Sequence, residues 1–228
     1  MDRLKKIRFS DFFLPANLLS QLRMLLVIPI IYFLSSDIEG ARYISLALLV
    51  LAGVTDYFDG YLARRLNHIT RLGLILDPLS DKVITIALII GLVLHREFPL
   101  WLALAIMGRD LIILIAAAAM AGKSDNIPPS DIYGKYYFSS IAFLLISSIL
   151  HYKFGQTLFE MITVVLLIVT LTSYGFRLRA IRLGRNLDDH FLNKRLYHII
   201  LRIIWYGALI PFLYFFLTNI IGTRDLFQ

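Results

Sequence analysis

From Thr55 to Lys82 the chain reads TDYFDGYLARRLNHITRLGLILDPLSDK. Two apolar runs meet here at a polar connection rich in Asp and Arg. Asp56 and Asp59 stand three residues apart, and Asp77 and Asp81 four apart. On helices, each spacing puts its pair on one face. Pro78 follows Asp77 and either opens a helical turn or kinks one. The basic connection from Arg65 to Arg71 folds the second helix against the third, so the two aspartate pairs can face one another.

Four carboxylates gathered at membrane depth repel strongly. Ionised residues inside apolar spans are expensive and mark functional sites. A divalent cation is the simplest compensation, and all-oxygen ligation favours a hard ion such as Mg²⁺, Mn²⁺ or Ca²⁺. Such an ion in turn favours phosphate oxygens as substrate ligands. Gly60 and Gly73 leave room where a ligand or a neighbouring helix can come close. Arg64 offers a fork of donors matched to phosphate. A lone Asp at a helix end is more often a cap or a solvated charge, but that account does not cover all these positions together. The local physics suggests metal-assisted phosphoryl-group chemistry on a membrane substrate.

Of the 228 residues, 58% are hydrophobic and 17% are charged, with a mean hydropathy of +0.73. That is too apolar for an ordinary soluble domain. A membrane-spanning helix needs about 20 apolar residues. Runs of that kind lie at about 17–36, 41–63, 72–95, 99–121, 133–152, 156–178 and 198–221. The chain reads as an all-α polytopic membrane helix bundle. Residues 1–16 read as an interfacial amphipathic segment, with Phe12 and Phe13 dipping into lipid. Residues 17–178 form the transmembrane core. Residues 179–228 form a basic segment and an extra apolar helix, in which Trp205 and Tyr206 fit an aromatic belt.

The absence of cysteine excludes disulfides, thiolate metal sites and cysteine nucleophiles. The net charge of +7 fits loops facing anionic lipid better than nucleic acid. Lys and Arg cluster in the N-terminus, in the connection carrying Arg64, Arg65 and Arg71, around Lys123 and Lys135, and from Arg177 to Arg202. The other connections hold only Arg42, Arg96 and Lys153. This bias puts the N-terminus and the aspartate-rich connection on the cytoplasmic side of the inner membrane.

From Asp56 to Asp81 the pattern reads Asp-x-x-Asp-Gly-x-x-Ala-Arg, eight residues, Gly-x-x-x-Asp-x-x-x-Asp. It resembles the signature of the CDP-alcohol phosphatidyltransferase family at every fixed position. Weaker similarity extends over about 15–178, matching that family's six-helix core. The resemblance implies that Asp56, Asp59, Asp77 and Asp81 bind two Mg²⁺ or Mn²⁺ ions, with Asp81 also the general base. Asp56, Gly60, Ala63, Arg64 and Gly73 would form the CDP site. An acceptor hydroxyl would attack the lipid-bearing phosphate of CDP-diacylglycerol and release CMP. The resemblance also implies a homodimer.

The acceptor is less sharply marked. Asn17, Ser20 and Arg23 resemble the opening of the branch that uses glycerol 3-phosphate, and Pro129, Ser130, Gly134 and Lys135 resemble another of its segments. Arg109, Lys135 and Arg177 are the candidates for holding the acceptor's phosphate. Arg109 can instead pair with Asp110, Lys135 can be a plain positive-inside lysine, and Arg177 an interfacial anchor. Phe138 and Ile141 replace the Thr and Gln common in that branch, and Arg109-Asp110 also fits the branch that makes cardiolipin from phosphatidylglycerol. Glycerol 3-phosphate is favoured, with phosphatidylglycerol the alternative. A divalent-cation transporter would also place carboxylates among apolar helices, but it has no use for Gly60, Ala63, Arg64 and Gly73 at these spacings. If Asp81 is the base, Asp81→Asn abolishes turnover while sparing most CDP-lipid binding. Measuring both checks this, and an equal loss of binding counts against the role.

Overall fold

The computed structural model describes residues 9–65, 70, 72–95, 97–120, 132–182 and 194–222. Among these, all regular structure is helical, as expected for an all-α membrane bundle. A 3-10 turn, Phe9–Phe13, leads into seven α-helices: α1 (Pro15–Leu34), α2 (Ala41–Arg65), α3 (Gly73–Leu94), α4 (Leu100–Met120), α5 (Ile132–Ile149), α6 (Lys153–Arg182) and α7 (Lys194–Gly222). Each coincides with one of the seven apolar runs. At about 1.5 Å per residue, a helix of 20 residues is about 30 Å long, the thickness of a bilayer's hydrocarbon core. Three helices hold windows apolar enough to cross a membrane on that measure alone: Asn17–Leu34, Lys153–Phe176 and Leu201–Thr218. Large apolar side chains stand exposed along them, among them Leu25, Ile28, Val165, Ile168 and Ile210. So much apolar exposure marks a membrane-associated chain rather than a soluble one.

The boundaries follow local chemistry. Pro15 opens α1, where its missing N–H is one that no intrahelical carbonyl would bond. Gly40, at φ +77°, makes the turn into α2. α3 begins at Gly73, ahead of Pro78, so that proline lies inside the helix rather than opening it. α5 ends in a Schellman turn. His151 takes φ 54°, Tyr152 N–H bonds to Ser147 O at 2.8 Å, and His151 N–H to Ser148 O at 3.1 Å. α6 and α7 both extend beyond the apolar runs into the basic segment between them.

The chain divides into two compact units, Met1–Ala103 and Leu104–Gln228. In the first, α1 packs against both α2 and α3. Ile30, Leu34, Ala52, Leu88, Ile89 and Leu92 are buried there. Ser45 on α2 donates to Ile30 O of α1 at 3.0 Å. Arg42, at the start of α2, grips Glu97 beyond α3 with two bonds, 2.6 and 3.1 Å. In the second unit, α5 packs along α6, and α7 contacts α6. Phe143, Phe159 and Phe212 form a ring cluster with centroids 5.0–5.3 Å apart, and Trp205 of α7 lies 6.0–6.1 Å from Phe143 and Phe159. Trp205 therefore packs on α5 and α6, whereas Tyr206 is exposed. Of the N-terminal segment, Phe12 and Phe13 are exposed and Asp11 is buried; residues 1–8 lie outside the described set.

At the start of α3, Thr70 Oγ1 accepts the Gly73 N–H at 3.0 Å, satisfying a donor that the helix itself cannot. Asn17 of α1 donates through Nδ2 to the same hydroxyl, 3.1 Å, and to Asp11 O, 2.6 Å. A Cβ on Gly73 would lie 2.7 Å from Asn17 Oδ1 and 3.3 Å from Thr70 Oγ1. Asn17 cannot swing aside without breaking both bonds. Gly73→Ala is therefore expected to destabilise the protein by about 1–3 kcal/mol, read as a lower Tm in detergent. In an Asn17→Ala background the same change should have little further effect; additive losses would contradict the contact.

Candidate functional site

Asn17, Ser20 and Arg23 follow one another at three-residue steps along α1 and are all buried. That stripe faces the helices carrying the aspartates. Arg23 is 1% exposed, and a guanidinium so far from water needs charged partners. It finds them on two helices. Its Nη1 lies 2.6 Å from Asp56 Oδ1 on α2 and 2.7 Å from Asp81 Oδ1 on α3, and it donates to Ser80 Oγ at 3.2 Å. The two ends of the aspartate motif thus converge on one nitrogen.

The exposures run the opposite way. The Asp56 and Asp81 side chains are 47% and 33% exposed. The cation forms the closed floor of the cluster, and the carboxylates form its open side. Asp59 and Asp77 stand on the same continuous helices, three residues after Asp56 and four before Asp81. Their side chains, and those of Ala63 and Arg64, lie outside the described residues, as does any placement of Gly60 beyond its helical backbone. Among the described residues no group of three or more His, Asp or Glu is close enough to hold a metal ion. The two described aspartates nevertheless suit one. They are hard oxygen donors from two helices, brought to one point and partly open to solvent.

Gly73 expresses its lack of a side chain differently from a ligand-facing glycine. The space beside it is occupied by Asn17. Its described role is therefore the close seating of α3 on α1.

The acceptor candidates lie in the second unit. Arg109 is largely buried and already engaged. Its Nη1 contacts Asp110 Oδ1 at 2.8 Å, and Nε donates to Thr170 Oγ1 at 3.4 Å. Its Cζ sits 4.5 Å from the ring centroid of buried Tyr137, a cation–π arrangement. This is the ion pair with Asp110 that the sequence allowed. Lys135 is exposed in the first turn of α5. The Arg177 side chain lies outside the described residues, as do Lys123, Pro129 and Ser130. Phe138 is half exposed, and Ile141 is buried in the helix core.

Arg23 is the residue whose place in the cluster the sequence reading missed. Its signal was a permanent charge inside an apolar run, in step with Asn17 and Ser20. Its partners, 33 and 58 residues away, leave no local trace.

The profile of the CDP-alcohol phosphatidyltransferase family matches residues 13–174. A CDP-diacylglycerol–glycerol-3-phosphate 3-phosphatidyltransferase of Aquifex aeolicus is 34% identical over 165 residues, 69% of this chain and 90% of that protein. A CMP-forming cardiolipin synthase of Streptomyces coelicolor is 36% identical over 91 residues, covering 40% of this chain and 42% of that one. A Bacillus subtilis protein named like the Aquifex enzyme is 35% identical over 91 residues, covering 47% of its length. With its aspartate-bearing helices inside the matched region, the chain belongs to the CDP-alcohol phosphatidyltransferase family.

Proposed function

We propose that the protein transfers the phosphatidyl group of CDP-diacylglycerol to glycerol 3-phosphate and releases CMP. The observation that carries the reading is the meeting of Asp56 and Asp81, from two helices, on Arg23. Two Mg²⁺ or Mn²⁺ ions held by Asp56, Asp59, Asp77 and Asp81 would neutralise the diphosphate and the charge developing on the CMP oxygen. Asp81 takes the proton of the acceptor hydroxyl. The hydroxyl oxygen then attacks the lipid-bearing phosphorus, and the bond from that phosphorus to CMP breaks, with the electron pair leaving on CMP. Gly60, Ala63 and Arg64 border the nucleotide, with Arg64 reaching toward it. Lys135 and Arg177 supply positive charge for the acceptor's phosphate. The Lys and Arg bias supports a site facing the cytoplasm from the inner membrane. The family resemblance supports a homodimer.

The acceptor choice is supported by the broad match to the Aquifex enzyme, which extends over 90% of that protein. A second reading, cardiolipin synthesis from phosphatidylglycerol, has its own observation. Arg109 is committed to Asp110 and Tyr137, which leaves it less available to a small phosphate. Purified protein given Mg²⁺ or Mn²⁺, CDP-diacylglycerol and a panel of acceptors should release CMP with glycerol 3-phosphate. Release only with phosphatidylglycerol would establish the second reading instead. Metal uptake with no CMP from any acceptor would overturn both.

A further inference from the structure

We infer that Arg23 is the resident counter-cation of the aspartate cluster: a positioning residue that holds Asp56 and Asp81 together and opposes a divalent cation at the same carboxylates. The inference rests on the metal reading above.

Three observations carry it. The guanidinium is buried, 1% exposed, so its charge has no solvent to satisfy it. A guanidinium carries a fixed positive charge in proteins. A single nitrogen, Nη1, bonds one oxygen of each of two carboxylates from different helices. An arginine that merely filled the space between α1, α2 and α3 would not need that convergence. Ser80, fully buried beside it, adds an acceptor to the same nitrogen and keeps the head group in place.

The electrostatic consequence has a definite sign. Without a metal, Arg23 offsets the repulsion between Asp56 and Asp81. When a divalent cation approaches the same carboxylates, the two positive charges share one negative pair and repel each other. Coupling between two ligands of one site is reciprocal. If the cation weakens the hold of Arg23, Arg23 weakens the cation by the same factor. Removing the charge at position 23 should therefore loosen the ion-free protein and tighten cation binding. A packing role predicts the opposite for binding, because splayed carboxylates make a poorer site.

The test uses the full chain in detergent micelles. Mn²⁺ binding is followed by the electron paramagnetic resonance of free Mn²⁺, and stability by thermal unfolding with and without Mn²⁺. Ion-free Arg23→Gln should unfold at lower temperature than the wild type yet bind Mn²⁺ roughly tenfold more tightly, an ordinary size for coupled sites. Arg23→Lys keeps the charge, and one ammonium can serve the contacts described for Nη1. It should stay near the wild type in both measurements. Adding Asp81→Asn to Arg23→Gln should restore part of the ion-free stability. If Arg23→Gln fails to fold without Mn²⁺, the comparison is made in the Asp81→Asn background, where the double variant should still bind Mn²⁺ more tightly than Asp81→Asn alone. Equal or weaker Mn²⁺ binding on loss of the arginine, or an Arg23→Lys as disturbed as Arg23→Gln, overturns the inference. A wild-type chain that takes up no Mn²⁺ overturns the metal reading and the antagonism together.

Discussion

A permanently charged guanidinium buried among apolar helices must be matched by negative charge, and much of the first unit follows from that requirement. Arg23 lies in the first half of α1, within an otherwise uncharged window. The only way to keep it from water is to bring carboxylates to it. Asp56 from α2 and Asp81 from α3 meet that need, which fixes which faces of those helices turn toward α1. Small and polar residues then settle along the seam. Ser20 and Ser80 are fully buried, and Asn17 and Thr70 join α1 to the start of α3. At the far end, Arg42 grips Glu97 with two bonds and ties the first turn of α2 to the segment after α3. A three-helix unit is thus tied at both ends by charge, with aliphatic side chains between.

The second unit spends its polar groups in other ways. Ser140 accepts from Thr163, and Ser147 and Ser148 return their hydroxyls to α5 carbonyls one turn earlier. These pairings satisfy polar groups inside apolar helices without drawing in water. Arg109 is neutralised by its neighbour Asp110 and rests on an aromatic face. The centre of the unit is aromatic, and α7 enters it through Trp205 and Phe212. The last helix is therefore packed into this unit rather than appended to it.

Much of this was legible in the sequence because it depends on local pattern. Seven apolar runs became seven helices, since a run of that length in lipid must satisfy its own backbone. The aspartate spacings mapped onto continuous helices because periods of three and four need no knowledge of the rest of the chain. What was not legible depends on distant partners. Arg23 stood out only in step with Asn17 and Ser20, since nothing nearby in the chain names Asp56 and Asp81 as its partners. Gly73 looked like an open place, but whether a ligand or Asn17 fills it is decided more than fifty residues away. Pro78 was ambiguous because the start of α3 is set by Thr70 and Gly73, not by the proline. Trp205 fitted an interfacial belt by composition, and only the packing of α5 and α6 revealed the ring cluster it joins.

The placement of the two tryptophans has an optical consequence. Trp101, near the start of α4, is more than half exposed, while Trp205 sits among the rings of Tyr136, Phe143 and Phe159. The tryptophan emission of the chain is thus a sum of two sources in unlike surroundings. One senses whatever bathes α4, detergent or lipid, and the other senses whether α7 remains seated. Replacing Trp101 with phenylalanine would leave a single tryptophan, whose emission reports the docking of the last helix without any attached label.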